Sequence, residues 1–100
     1  MKDTPEDDCM ALIASIELTN AVGLHARPSV KLTQRAKTFS ASVELALDPE
    51  GPWSDAKSPV KVMRVKAPKG AILYFRTEGS DAEAALQAMV DLVAARFGEE

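Results

Sequence analysis

Residues 12–37 read LIASIELTNAVGLHARPSVKLTQRAK and contain a strand pattern, a loop pattern and a helix pattern in succession. Alternating apolar positions over residues 12–18 predict a half-buried strand. Residues 19–24 include asparagine and glycine and predict a loop. Pro28 suits the first turn of a helix over residues 26–37, because its missing N–H costs little there. The first part of the chain is therefore a strand, a loop and a helix.

The helix over residues 26–37 is predicted to turn an apolar stripe inward. The residues of that stripe are Val30, Leu32, Thr33, Ala36 and Phe39. Beyond the helix, residues 41–47 alternate like a second strand, and residues 48–52 (DPEGP) have turn chemistry. Residues 53–56 predict a short third strand, which completes a hairpin.

The second half of the chain predicts a helix, a strand and a helix. Ser58 is typical of an N-cap and Pro59 of a first helical position, so a helix begins there and ends near Val65. Residues 71–77 (AILYFRT) have the pattern of a buried strand.

The last helix is predicted to begin with a capping box at Ser80 and Glu83 and to end with a C-terminal cap at Gly98. The resulting element order is β-α-β-β-α-β-α. This order predicts an α+β fold, in which an antiparallel four-stranded sheet has three helices on one face.

The composition is that of one globular domain. The chain has 100 residues, of which 46% are hydrophobic and 27% charged. No apolar run is long enough to span a membrane, and the acidic first ten residues do not resemble a secretory signal. A single cysteine, Cys9, cannot form an internal disulfide. We therefore expect a cytoplasmic protein.

The net charge of −3 is unevenly distributed. Residues 1–10 contain four acidic side chains and one basic one, whereas residues 11–100 are balanced. We expect residues 1–10 to be a flexible acidic extension and residues 11–98 to be the folded domain. Residues 56–77 contain six basic and no acidic side chains, so a local basic surface is predicted within a neutral domain.

The only histidine, His25, lies where the loop meets the first helix. Free N–H groups at a helix N-terminus favour an anion and disfavour the imidazolium form, so a neutral, nucleophilic ring is expected near pH 7. Arg27 supplies a guanidinium suited to phosphate. These residues are compatible with a phosphorylated histidine. A surface histidine beside a helix cap is the alternative.

Residues 23–29 read GLHARPS. This segment resembles the active-site signature of the HPr family, the histidine-containing phosphocarriers of the bacterial phosphoenolpyruvate-dependent phosphotransferase system. Residues 56–58 resemble its regulatory serine segment, and residues 68–70 and 78–81 fit its later elements. The resemblance covers residues 11–98 and implies an open-faced β-sandwich.

The resemblance also implies roles for residues at the first helix start. His25 would accept a phosphoryl group on Nδ1 from phospho-enzyme I and pass it to an enzyme IIA-type domain. Arg27 would stabilise the phosphoryl charge, while Gly23 and Pro28 would shape the helix start. Such a protein is a carrier, without independent enzyme activity on a small molecule, and needs no cofactor.

Two further groups of residues are candidates through the resemblance. Ser58 matches the serine that HPr kinase/phosphorylase modifies in some bacteria, although Pro59 departs from the family pattern, and a plain N-cap is the alternative. A basic surface would bind acidic partners, the alternative being a solvated face. Its residues are Lys31, Lys57, Lys61 and Arg64.

Nucleic acid and metal ions are poor fits to these residues. Nucleic acid fits poorly because no aromatic residues interleave with the basic ones, and one cysteine and one histidine do not suggest a metal site. We expect a monomer. The alternative function is a regulatory module that docks to a transcription factor or an enzyme. The sequence is compatible with the sugar branch and with the nitrogen-related branch of the system. It is also compatible with a domain of a larger phosphotransfer protein.

Overall fold

The computed structural model of the chain describes residues 11–19, 24 and 26–98. Its elements follow the predicted order β-α-β-β-α-β-α and end in a short 3₁₀ turn. They are β1 (Leu12–Glu17), α1 (Ala26–Ala36), β2 (Ser42–Ala46), β3 (Ser54–Asp55), α2 (Pro59–Val65), β4 (Ile72–Glu78), α3 (Ala82–Ala94) and the 3₁₀ turn (Arg96–Gly98). None of these helices has both the length and the apolar character needed to cross a membrane.

Strand β4 lies in the interior of the antiparallel sheet, whose order is β1-β4-β2-β3. Thr77 of β4 pairs with Leu12 on one side and with Val43 on the other. The predicted four-stranded antiparallel sheet is therefore confirmed. The third strand is shorter than predicted, because only residues 54 and 55 pair with β2.

The sheet buries one face and exposes the other. In β4, Leu73, Phe75 and Thr77 are buried, while the residues between them are exposed or half-buried. Helix α3 packs on β1 and β4, and α1 packs on both other helices. This is the open-faced arrangement that the alternating sequence pattern predicts.

The open face carries a cross-strand cluster. Arg76 binds Glu44 at 2.6 Å, in a pair of residues that also face each other in the β2–β4 register. The Arg76 guanidinium lies 4.3 Å from the centre of the Trp53 ring, within the range of a cation–π contact. Trp53 is therefore packed on the sheet through Arg76.

The inward face of α1 differs from the prediction at one position. Leu32, Thr33 and Ala36 are buried as predicted, together with Pro28 and Ser29. Val30, however, is 42% exposed. At 100° per residue, position 30 points away from a stripe centred on positions 28, 29, 32, 33 and 36, so its prediction as a core residue was wrong.

The start of α2 agrees with the sequence. The Ser58 hydroxyl accepts a hydrogen bond from the Lys61 N–H at 3.4 Å, and Pro59 occupies the first helical position. The helix ends after Val65, where Lys66 adopts a left-handed conformation with φ 55°. Both ends of this short helix are therefore defined by local chemistry.

The start of α3 differs from the predicted capping box. The N-cap is Asp81 rather than Ser80. Its carboxylate accepts hydrogen bonds from the N–H groups of Ser40 (2.9 Å) and Ala41 (2.7 Å). Because β2 begins only at Ser42, these two donors lie outside the sheet ladder and are satisfied by the carboxylate instead.

The end of α3 also differs from the prediction. The helix ends at Ala94, and Gly98 is not its cap. Arg96 and Phe97 adopt positive φ angles of 54° and 57°, and this turn buries the Phe97 ring. Lys31 donates a hydrogen bond to the Phe97 carbonyl at 2.8 Å. Burial of Phe97 thus ends the helix earlier than local propensity alone predicts.

Gly79, between β4 and α3, is required by close packing. Its φ is 138°, and a Cβ there would lie 2.8 Å from the Cα of Ala41. Gly70 also has a positive φ, of 93°, but a Cβ there would meet nothing within 4 Å. A substitution at Gly70 therefore tests backbone strain alone, whereas one at Gly79 tests strain together with steric overlap.

We predict that Gly79→Ala destabilises the protein more than Gly70→Ala does. Gly70→Ala should lower the free energy of unfolding by about 1–2 kcal/mol through backbone strain. Gly79→Ala adds overlap with the Ala41 backbone and should cost about 2–5 kcal/mol in total. Urea unfolding of the two variants measures both costs, and equal values would contradict close packing at Gly79.

The Asp81 contacts predict a pH dependence of stability. The pKa of the Asp81 carboxyl lies below its usual value of 3.8. The hydrogen bond from the Ser40 N–H has the largest effect and lowers this pKa. The Ala41 N–H and the positive charge of Lys57 lower it further, whereas desolvation raises it. A carboxyl whose pKa is lowered by folding stabilises the protein at pH values above its pKa in the unfolded chain. This contribution is lost as the pH falls through its pKa in the folded protein.

Asp81→Asn should therefore be less stable than the parent at pH 7 and should lose less stability on acidification. The matched control is Asp91→Asn, because among the described residues the Asp91 carboxylate accepts only from the Gln87 side chain, one turn earlier in α3. Unfolding free energies between pH 7 and pH 2 provide the measurement. Equal acid sensitivity of Asp81→Asn and the parent would contradict the proposed linkage.

Candidate functional site

The predicted site surrounds the start of α1. His25 and Gly23 lie outside the described residues, so their roles stay predictions. The structure does describe Leu24 and Ala26, which flank His25 in the chain, and Ala26 is the first residue of α1. The environment of the site follows from these neighbours and from the loop that contacts them.

Leu24 anchors the chain immediately before His25. Its side chain is buried, and its N–H donates to the Ala67 carbonyl at 2.8 Å. The same connection between α2 and β4 contacts the end of β1: Gly70 donates to the Leu18 carbonyl at 2.7 Å, and Leu18 donates to the Ala71 carbonyl at 2.8 Å. The start of α1 is thus held beside the connection between α2 and β4.

The first turn of α1 suits an anion. It contains no acidic side chain, so nothing on the helix itself neutralises the positive end of the dipole. Pro28 is the third residue of the helix and is buried. Arg27 precedes it and is exposed. The sequence prediction of a helix start with Pro28 in the first turn is confirmed.

The four predicted partner-binding cations have two kinds of environment. Lys31 donates to the Phe97 carbonyl, and Lys57 donates to the Phe39 carbonyl, each at 2.8 Å. These two lysines therefore hold the ends of neighbouring segments. Lys61 and Arg64 are exposed on α2, which packs against α1. Their contact with a partner stays a prediction.

The structure shows two exposed apolar residues on α2 that the sequence analysis did not single out. Val60 is 52% and Met63 is 38% exposed, and they lie three positions apart on one side of the helix. The exposed Lys61 and the buried Val62 lie between them in the chain. Helical spacing of apolar residues was the available signal, but it did not reveal which of them face solvent.

Arg96 is a third residue whose position the sequence analysis missed. Its Nε donates to the Thr19 hydroxyl at 3.4 Å, across 77 positions of sequence. Thr19 is the last described residue before the segment that leads to Leu24. A contact between positions so far apart leaves no local pattern, so only the folded chain reveals it.

A family model and several known proteins match this chain over most of its length. A sequence model described as PTS HPr component phosphorylation site matches residues 13–95. The phosphocarrier protein HPr of Cupriavidus necator is 42% identical over 82 residues, which cover 82% of this chain and 90% of that protein. The crystal structure of HPr-C-His from Thermoanaerobacter tengcongensis matches with a TM-score of 0.81 and 35% identity, covering 89% of this chain and 98% of that one.

A second group of relatives is longer. The multiphosphoryl transfer protein of Escherichia coli O157:H7 is 38% identical over 98 residues, which are 97% of this chain but 26% of that protein. The chain therefore spans about a quarter of the length of these relatives, and most of the length of the shorter ones.

The cap of α2 gives a direct stability prediction. Ser58→Ala should lower the free energy of unfolding by about 0.5–1 kcal/mol, because the long hydrogen bond to the Lys61 N–H is lost. The matched control is Ser80→Ala, at the residue displaced from the N-cap of α3 by Asp81. It should change stability by less than about 0.5 kcal/mol. A larger loss at Ser80 would contradict the cap assignments.

Proposed function

The chain belongs to the HPr family of phosphocarriers of the phosphotransferase system, and from this premise we propose that His25 carries the phosphoryl group. The donor in this proposal is phospho-enzyme I, and the acceptor is an enzyme IIA-type domain. The observation that supports it is the start of α1 directly after His25, with no acidic residue in the first turn. The family match over residues 13–95 includes this position.

The proposed reaction exchanges one phosphorus–nitrogen bond for another. The Nδ1 lone pair of neutral His25 attacks the phosphorus held by the phosphohistidine of enzyme I. A bond forms between Nδ1 and phosphorus while the donor bond breaks, and the donor nitrogen keeps its electron pair. The reverse sequence on an acceptor side chain returns His25 to its neutral form. No water or proton source is consumed in the transfer itself.

Electrostatic stabilisation is the contribution we assign to the residues after His25. The free N–H groups of the first turn and the Arg27 guanidinium favour the added negative charge. Pro28 has a fixed φ and a buried ring, so it holds the helix start in one conformation. In this proposal, the loop glycine Gly23 allows the chain to reach that helix start.

Partner docking is proposed to use α2 beside the site. Exposed Lys61 and Arg64 supply positive charge, and Val60 and Met63 supply exposed apolar area on the same helix. A mixture of cations and small apolar patches suits rapid, transient contacts with acidic partner surfaces. Ser58 lies at the start of this helix, and its modification by a kinase stays a prediction.

The proposal predicts how the chain takes up phosphate. Incubation with phosphoenolpyruvate and enzyme I should give one acid-labile, base-stable phosphoryl group, and His25→Ala should take up none. Arg27→Ala should slow the transfer by about 10- to 100-fold, the expected effect of removing a charge-assisted hydrogen bond. Radiolabel uptake over time measures both effects.

Arg76→Ala is the matched control for loss of an arginine. Arg76 lies on the open sheet face and pairs with Glu44, away from α1. Its variant should be phosphorylated at close to the parent rate, at a temperature at which all variants are folded. Undiminished labelling of His25→Ala would show that another residue carries the phosphoryl group and would overturn the proposal.

A further inference from the structure

The two helices beside the site, with their flanking residues, carry cations and no acidic side chains. Residues 26–43 and 56–77 contain no aspartate or glutamate. The cations on and next to the helices are Arg27, Lys31, Arg35 and Lys37 of the first, and Lys57, Lys61, Arg64 and Lys66 of the second. Because α1 and α2 pack together, the two groups of cations lie on neighbouring helices.

Four of these cations gather where α1 ends and α2 begins. Arg35 is in the last turn of α1 and Lys37 follows the helix. Lys57 donates to the Phe39 carbonyl at 2.8 Å, which joins the start of α2 to the end of α1. Lys61 is in the first turn of α2. We name the surface formed by Arg35, Lys37, Lys57 and Lys61 the basic end.

The basic end has an excess of positive charge. The nearby carboxylates of Asp55 and Asp81 already accept main-chain N–H groups, those of Lys57 and of Ser40 and Ala41. Within the described ranges, neither Lys37 nor Lys61 takes part in an ion pair. Exposed Glu78, which pairs with Ser42 at this end of the sheet, is a third carboxylate, so four cations face three carboxylates.

The described chain begins at this same end of the sheet. Leu12, Thr77 and Val43 form one row across three strands, and the Ala56 N–H donates to the Val43 carbonyl at 2.8 Å. Neighbouring strands lie about 4.8 Å apart, so Leu12 and the chain before Lys57 are separated by about 14 Å. Ala11 is thus within a short span of the basic end.

Residues 1–10 have the charge and the length to cross that span. Their acidic residues are Asp3, Glu6, Asp7 and Asp8, against the single cation Lys2. At about 3.3 Å per extended residue, Asp8 reaches about 10 Å from Ala11 and Glu6 about 17 Å. The reach of this acidic cluster therefore brackets the distance to the basic end.

We propose that the acidic segment of residues 1–10 binds the basic end of its own chain. A short tether keeps the segment at an effective concentration of about 1 mM, so a contact with a dissociation constant of about 1 mM is formed about half of the time. The contact weakens with salt, because the Debye length falls from about 30 Å at 0.01 M to about 3 Å at 1 M. Bound in this way, the segment competes with acidic partners for Lys61.

The test uses a spin label on the segment and the full chain. A nitroxide is attached at Thr4→Cys in a Cys9→Ser background, so that no charge is changed, and amide signals of ¹⁵N-labelled protein are recorded. At about 0.01 M salt, signals of residues 35–38, 57, 58, 60 and 61 should broaden relative to those of residues 72–74, at the opposite end of the sheet. At about 1 M salt the broadening should disappear.

Two sets of charge substitutions separate the segment's charge from overall charge. The test variant is Asp3→Asn, Glu6→Gln, Asp7→Asn and Asp8→Asn. The control variant is Glu17→Gln, Asp48→Asn, Glu50→Gln and Asp91→Asn, four carboxylates exposed elsewhere. The test variant should lose the broadening at the basic end, and the control variant should keep it.

Several outcomes would overturn the proposal. Broadening that is the same at both salt concentrations, or the same in the neutralised segment, would show that charge does not hold the segment there. A mixing experiment tests for binding to a second copy. If spin-labelled ¹⁴N protein broadens the signals of ¹⁵N-labelled protein that has no nitroxide, the segment binds another molecule and not its own chain. His25→Ala should give the parent result, so this test stands or falls separately from phosphotransfer.

Discussion

The register of β4 is the constraint on which the rest of the structure depends. This strand pairs with both β1 and β2, and its alternating residues Leu73, Phe75 and Thr77 form the centre of the buried face. A slip of one residue would expose these side chains and bury Arg76, so the register is strongly determined. Each end of β4 then holds one functional part of the molecule in place.

Before β4, the connection from α2 binds Leu18 and Leu24 through main-chain hydrogen bonds and so positions the start of α1. After β4, Gly79 packs on Ala41, and Asp81 binds the N–H groups of Ser40 and Ala41. The beginning and the end of the segment that carries α1 are therefore both secured by residues that flank β4. The proposed phosphorylation site therefore depends on β4, a strand that is distant from it in the sequence.

Local signals accounted for most of the fold, and long-range contacts account for what they missed. Alternation identified the strands, and the Ser58-Pro59 pair identified the start of α2, because each signal acts over a few residues. The capping box at Ser80 was wrong: Asp81 is the N-cap, and its carboxylate accepts from donors 41 and 40 positions away. The helix end at Gly98 was wrong because Phe97 turns back into the core. A sequence pattern contains neither contact.

The site shows the same division. The start of α1 after His25 and the position of Pro28 followed from local chemistry, whereas the contact of Arg96 with Thr19 is visible only in the folded chain.

The central claim, a phosphoryl group on Nδ1 of His25, is tested most directly by long-range ¹H–¹⁵N NMR of the imidazole after phosphorylation by enzyme I. Nδ1 alone should become bonded to phosphorus. A phosphoryl group on Nε2, or an unmodified His25 in phosphorylated protein, would contradict it.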